Sequence, residues 1–181
     1  EFEASVGRKW RRPLEFVSSI ARAAQVSRYQ PKAAAGSEDL YNTGLYGYLI
    51  RTARHTPRAW TVVNGYPDQA SFWNSTSITL SLWNGAQDAV IGDKVESGMT
   101  SWTRALSIKA GDNALATARR ITWHLTGYQW PEPALLKVAG LLAHGTADGV
   151  DASAVVSPTY TDDYAAQAVR VTFASPYGFL R

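Results

Sequence analysis

An α+β domain is expected from three features of the sequence. Apolar residues recur at helical spacing near the N-terminus and again over 131–145, strict apolar/polar alternation marks 77–83, and turn residues punctuate the segments between. The expected order is N-terminal helices, a small antiparallel sheet, a helical pair and a closing C-terminal strand.

Pro13 suits the first turn of a helix, and Leu14, Val17, Ile20, Ala21 and Ala24 follow at helical spacing, so a helix is expected over 13–29 before Pro31 stops it. Residues 31–36 read as a hinge. Ser37, with Glu38 and Asp39 behind it, starts a second helix running to about residue 54 and closed by Pro57. Tyr41, Leu45, Tyr46, Tyr48, Leu49 and Ile50 spread around more than one face of that helix, while Gly44 and Gly47 thin it. The surplus apolar surface points to self-association through this helix and the later helical pair; burial on all sides within one domain is the plainer reading.

From Ala59 the pattern turns to period two, with Trp60 and Val62 before the turn at 64–68. The clearest strand is 77–83, where Ile78, Leu80 and Leu82 alternate with Thr79 and Ser81 and Asn84-Gly85 supplies the turn. Residues 86–100 read as a loop. A further strand over 102–109 places Trp102, Arg104, Leu106 and Ile108 on one face. Asp112 then caps a helix striped by Ala114, Ala118, Ile121 and Leu125 and ended by Gly127, although 120–126 also alternates as a strand would. Pro131 and Pro133 open another helix, with Leu135, Val138, Ala139 and Leu142 inward and Gly145 as terminator. An extended run over 154–160 and a strand over 168–174, with Val169, Val171 and Phe173 on one face, complete the chain.

The chain has 181 residues, of which 45% are apolar and 18% charged, enough for one domain and too apolar for disorder. No window reaches the ~20 apolar residues that cross a bilayer, so a soluble chain without a membrane partner is expected. Zero cysteines exclude disulfides, thiolate metal sites and a cysteine nucleophile. Residues 1–12 lack both an initiator Met and an apolar signal core, as in a processed or recombinant chain.

Charge is uneven: residues 1–58 carry +5 and residues 59–181 carry −2. The densest part is Arg8, Lys9, Arg11 and Arg12 around Trp10, and Arg51, Arg54 and Arg58 form a second group. Such residues neutralise phosphates and stack on bases, which makes all eight the candidate nucleic-acid contacts. The plainer reading is a solvated arm or ion pairs with the body. The domain division that follows is a basic arm over 1–12 and a single α+β domain over 13–181.

Catalytic patterns are sparse. His55, His124 and His144 are too far apart for a compact metal site and HExxH is absent, so no metal or cofactor is expected. His124 and His144 read instead as residues near helix C-termini. No GxSxG elbow and no phosphate-cradling loop occurs. Asp162 and Asp163, with Glu132, Asp148 and Asp151 upstream, are the carboxylates from which a glycosidase pair would be drawn, and adjacent Asp residues more often cap a helix or turn. The pairs Phe72-Trp73-Asn74 and Trp83-Asn84 suit sugar stacking or, more simply, a core Trp beside a turn Asn, and Asn74-Ser75-Thr76 fits an N-glycosylation acceptor.

The expected function is accordingly structural and non-enzymatic: a self-associating viral or phage coat or nucleocapsid subunit, resident in the virion, that contacts nucleic-acid phosphates without sequence specificity through its basic arm. A secreted glycan-binding or glycan-hydrolysing module is the alternative, and a non-catalytic subunit of a large complex a third.

Overall fold

The computed structural model describes residues 9–23, 55, 65–67, 69–91 and 101–180. Among these the regular elements are helices α1 (Pro13–Ala23), α2 (Ala70–Trp73), α3 (Thr76–Ile91), α4 (Trp102–Ala105), α5 (Ala114–Thr126), α6 (Glu132–His144) and α7 (Thr161–Ala174), then a 3₁₀ turn at Pro176–Phe179. No strand occurs among the described residues, and the only β pairing there is two isolated bridges, Trp10 with Leu180 and Asn113 with Val155. The α+β expectation is corrected: the described chain is mostly helical.

Three of the expected strands, all among the described residues, fail for identifiable reasons. Within 77–83 the buried residues are Ile78 and Leu82, and Ala86 continues the stripe one turn on, whereas Leu80 is 47% exposed. That is period 3.6, not 2, and Asn84-Gly85 lies inside α3 instead of turning a hairpin. At 102–109 the Ser101 hydroxyl accepts the Arg104 N–H at 3.3 Å and starts the short helix α4, which buries Trp102 and Ala105 and leaves Arg104 outside. At 168–174, Ala165, Ala168, Val169, Thr172 and Phe173 are buried and Val171 is 38% exposed, the inner face of α7. The run 154–160 holds only a single bridge residue, Val155. Residues 86–91 of the expected loop belong to α3. The expected helix over 37–54, residues 24–29 of the first helix, residues 92–100 of the loop and the strand carrying Trp60 and Val62 lie outside the described residues.

The helical pair forms as expected. Asn113, one residue after the expected cap, accepts the Ala116 N–H at 2.8 Å, and Gly127 closes α5 with φ of 81°. The strand reading of 120–126 is thereby excluded. Three buried threonines, Thr122, Thr126 and Thr172, return their hydroxyls to the carbonyls of Ala118, Thr122 and Ala168, so β-branched polar side chains sit in helix interiors without unsatisfied oxygens.

Helix α7 is the hub: α3, α4, α5, α6 and the 3₁₀ turn all pack on it. Phe179, delivered by that turn, stacks between Trp10 (5.1 Å between ring centroids) and Phe16 (5.0 Å), and Phe16 meets Phe173 edge-on. The two ends of the described chain thus share one aromatic cluster. Between α6 and α7 the loop backbone runs directly over Gly140: a Cβ there would overlap the Asp148 carbonyl oxygen and lie 2.8 Å from that of Thr146. Gly140→Ala is expected to lower stability by about 2 kcal/mol, because displacing backbone outweighs the ~1 kcal/mol gained by replacing a helix-interior glycine. The urea midpoint measures it; an unchanged or higher midpoint would show that the loop is not seated on α6.

The start of α1 is capped by three devices. Pro13 has no N–H to satisfy, the Arg12 N–H donates to the Glu15 carboxylate at 3.0 Å, and the Leu14 N–H donates to Nδ1 of buried His55 at 3.2 Å. Burial, then the nearby Arg12 charge, lowers the His55 pKa from its ordinary 6.5, with Glu15 opposing. A lowered histidine pKa means that the unfolded chain binds the extra proton, so the contribution of His55 is complete above about pH 6.5 and is lost as pH falls below that. The melting temperature should therefore decline from pH 7.5 toward 5, and His55→Gln, whose amide oxygen can still accept from Leu14, should flatten part of that decline. Equal slopes in both proteins would contradict the capping role.

Candidate functional site

With Ala114, Ala118, Ile121 and Leu125 turned inward, the outer face of α5 carries Ala116, Arg119, Arg120 and Trp123 at i, i+3, i+4 and i+7. Gly127 ends the helix, and the short connection through Gln129 and Trp130 brings Glu132 and Leu135 of α6 back beside that face. The result is a cleft of about 540 Å³, lined by these residues and Thr122. That is within the ~300–1,000 Å³ range of small-ligand sites.

Trp130 is buried and donates its indole N–H to the Thr126 hydroxyl at 3.1 Å. Trp123, by contrast, is 54% exposed. Arg119 meets the Glu132 carboxylate at 3.4 Å with both side chains more than half exposed, a pair that contributes little to stability in that setting. Arg120 is directed elsewhere: its guanidinium donates to the carbonyls of Leu106 and Ser107, all at 3.0 Å. Ser107 has φ of 50°, a conformation disfavoured for a residue with a side chain, and Arg120 braces it. The cleft therefore combines an aromatic face, a guanidinium, a carboxylate and the exposed amide of Gln129.

The behaviour of the sequence-predicted contacts is mixed. Lys9 is exposed. Trp10 is half-buried on Phe179, so its ring packs against the body. Arg11 is 5% exposed; its backbone N–H donates to the Phe179 carbonyl at 2.7 Å, and its guanidinium donates to the carbonyls of Leu125 (3.3 Å) and Thr126 (2.9 Å) at the end of α5. Its charge thus sits at the carbonyl end of a helix, where a cation is favourable. Arg12 lies 3.8 Å from Glu15, three residues on. Arg8, Arg51, Arg54 and Arg58 lie outside the described residues.

The other candidates are dispersed. Trp73 is buried and donates to the Pro67 carbonyl at 2.7 Å, and Trp83 is half-buried beside Phe179, so neither offers a stacking platform. Asp162 and Asp163 open α7, where Asp162 accepts the Thr103 hydroxyl. Asp151 accepts the Ser153 N–H, and hydrogen bonds from Ser153 hold its carboxyl below the ordinary range. His124 and His144 occupy the last turns of α5 and α6. Among the described residues no group of three or more His, Asp and Glu side chains suits a metal ion, and no helix there is long and apolar enough to cross a membrane. Of the cleft residues, Arg119, Gln129 and Trp123 were missed by the sequence, and for Trp123 a signal exists. Trp123 stands two positions from both Ile121 and Leu125, about 200° around the helix from each, so its outward direction follows once α5 is helical.

No curated protein and no solved structure matches the chain. One family does, over residues 1–178, described as "Protein of unknown function (DUF1800)". The chain belongs to the DUF1800 family.

Proposed function

We propose that this domain is a recognition module that binds a small polar ligand in the cleft between α5 and α6. The observation that carries this reading is the exposed ring of Trp123 in a cleft rimmed by Arg119, Gln129 and Glu132. The lining is about as polar as it is apolar, which suits a polar ligand, and an indole supplies contact area at low entropic cost. The alternative, an assembly subunit that packages nucleic acid through the basic arm, has less support, because Arg11 and Trp10 are spent on the fold and the Arg12 guanidinium lies 3.8 Å from the Glu15 carboxylate.

Trp123→Ala tests the reading. A half-exposed side chain on an outer helix face should change stability by no more than about 0.5 kcal/mol, while ligand binding is lost. Thermal denaturation read beside a binding titration measures both. A large drop in melting temperature would make Trp123 a structural residue, and unchanged binding would remove the cleft from consideration.

A further inference from the structure

We infer that the ligand of the α5–α6 cleft is a neutral oligosaccharide, with one sugar ring stacked on Trp123 and its hydroxyls shared between Arg119, Glu132 and Gln129; this rests on the cleft being a binding site at all. Three classes of ligand are compatible with an exposed indole: a polyanion, an apolar molecule and a polyol. The charges inside the cleft separate them.

A phosphate or sulfate would approach through the guanidiniums. Arg119 already faces the Glu132 carboxylate at 3.4 Å, and Arg120 donates three hydrogen bonds to the carbonyls of Leu106 and Ser107. An anion reaching Arg119 meets Glu132 beside it, and the like charges repel; Arg120 keeps its charge, but three of its hydrogen bonds are directed at carbonyls and not at a ligand. An apolar ligand gains from Trp123 and Leu135 but would strip water from Arg119, Glu132 and Gln129 without replacing those hydrogen bonds.

A polyol avoids both penalties. Each hydroxyl is a donor and an acceptor, so neighbouring hydroxyls donate to Glu132 and accept from Arg119, while the Gln129 amide does both. The weakly polarised C–H groups on one face of a pyranose ring suit the electron-rich face of an indole. The Arg119–Glu132 pair is exposed and stabilises the fold little, so its atoms are available for exchange with ligand hydroxyls.

The test is a glycan array spanning α- and β-linked neutral hexoses and pentoses together with sulfated and uronate glycans, followed by calorimetric titration of the best binder and, in parallel, of a single-stranded oligonucleotide. A neutral glycan is expected to bind the parent chain with an affinity that salt does not change. Trp123→Ala and Glu132→Gln should each weaken it by about tenfold or more, and Leu80→Ser, at an exposed position on α3, should not. Circular dichroism confirms that each variant is folded. Salt-sensitive binding of sulfated glycan or oligonucleotide alone, still lost in Trp123→Ala, would overturn the neutral class and keep the cleft. Glycan binding indifferent to Trp123→Ala would overturn the cleft itself, and an array without any binder would overturn the oligosaccharide assignment.

Discussion

Phe179→Ala is expected to destabilise the protein by about 4 kcal/mol, the middle of the ~3–5 kcal/mol range for removing a buried aromatic ring. Phe179 is fully buried, stacked between Trp10 and Phe16 and 6.4 Å from Trp83. Neither neighbouring ring can collapse into the space without giving up its own packing. Phe16 is held edge-on by Phe173 of α7, and the backbone around Trp10 is fixed by the bridge to Leu180. The cavity therefore persists, and near-ultraviolet dichroism should lose intensity as the stacked rings loosen. A loss below about 1 kcal/mol by chemical denaturation would mean that the two ends of the described chain are not joined through this cluster.

Arg11→Ala should be the next most damaging change, at about 3 kcal/mol, because it removes charge-assisted hydrogen bonds and leaves the last carbonyls of α5 without their donor. For a chain of this length that is roughly a 10 °C fall in melting temperature. Arg11→Lys should recover only part, since one ammonium cannot reach two carbonyls with the geometry of the planar fork. The same variant separates the two readings of the basic arm. If Arg11 were a phosphate contact, alanine would reduce the salt slope of nucleic-acid binding and spare stability. The carbonyls of Leu125 and Thr126 predict the reverse.

Helix signals with a physical stop were legible in the sequence. Pro13 at the start of α1 and the glycines at 127 and 145 mark boundaries through backbone chemistry that no tertiary contact overrides. Alternation was not reliable. Ile78, Leu80 and Leu82 fit a strand face, yet a helix also places Ile78 and Leu82 together, and only the continuation to Ala86 and the exposure of Leu80 decide between them. Thr79 and Ser81 add to the ambiguity, since short hydroxylated side chains tolerate either period.

The site was illegible for a related reason. Trp123 sits in a run, 120–126, that alternates apolar and polar, and its direction depends on whether α5 is a helix. Glu132 reaches Arg119 only because Gly127 reverses the chain between them. Arg11 was illegible in another way: a basic run predicts charge, but the sequence carries no sign that one member of it meets a helix end more than a hundred residues away.

Fluorine NMR of the protein labelled with 5-fluorotryptophan shows whether a sugar stacks on Trp123, since the chain has seven tryptophans whose signals single Trp→Phe variants assign. Titration with the neutral oligosaccharide selected on the array should move the Trp123 signal most and that of Trp130, in the cleft lining, by less, while Trp10 and Trp73 hold still. A Trp123 signal that does not move at saturating ligand, with shifts falling instead on Trp10, would contradict it.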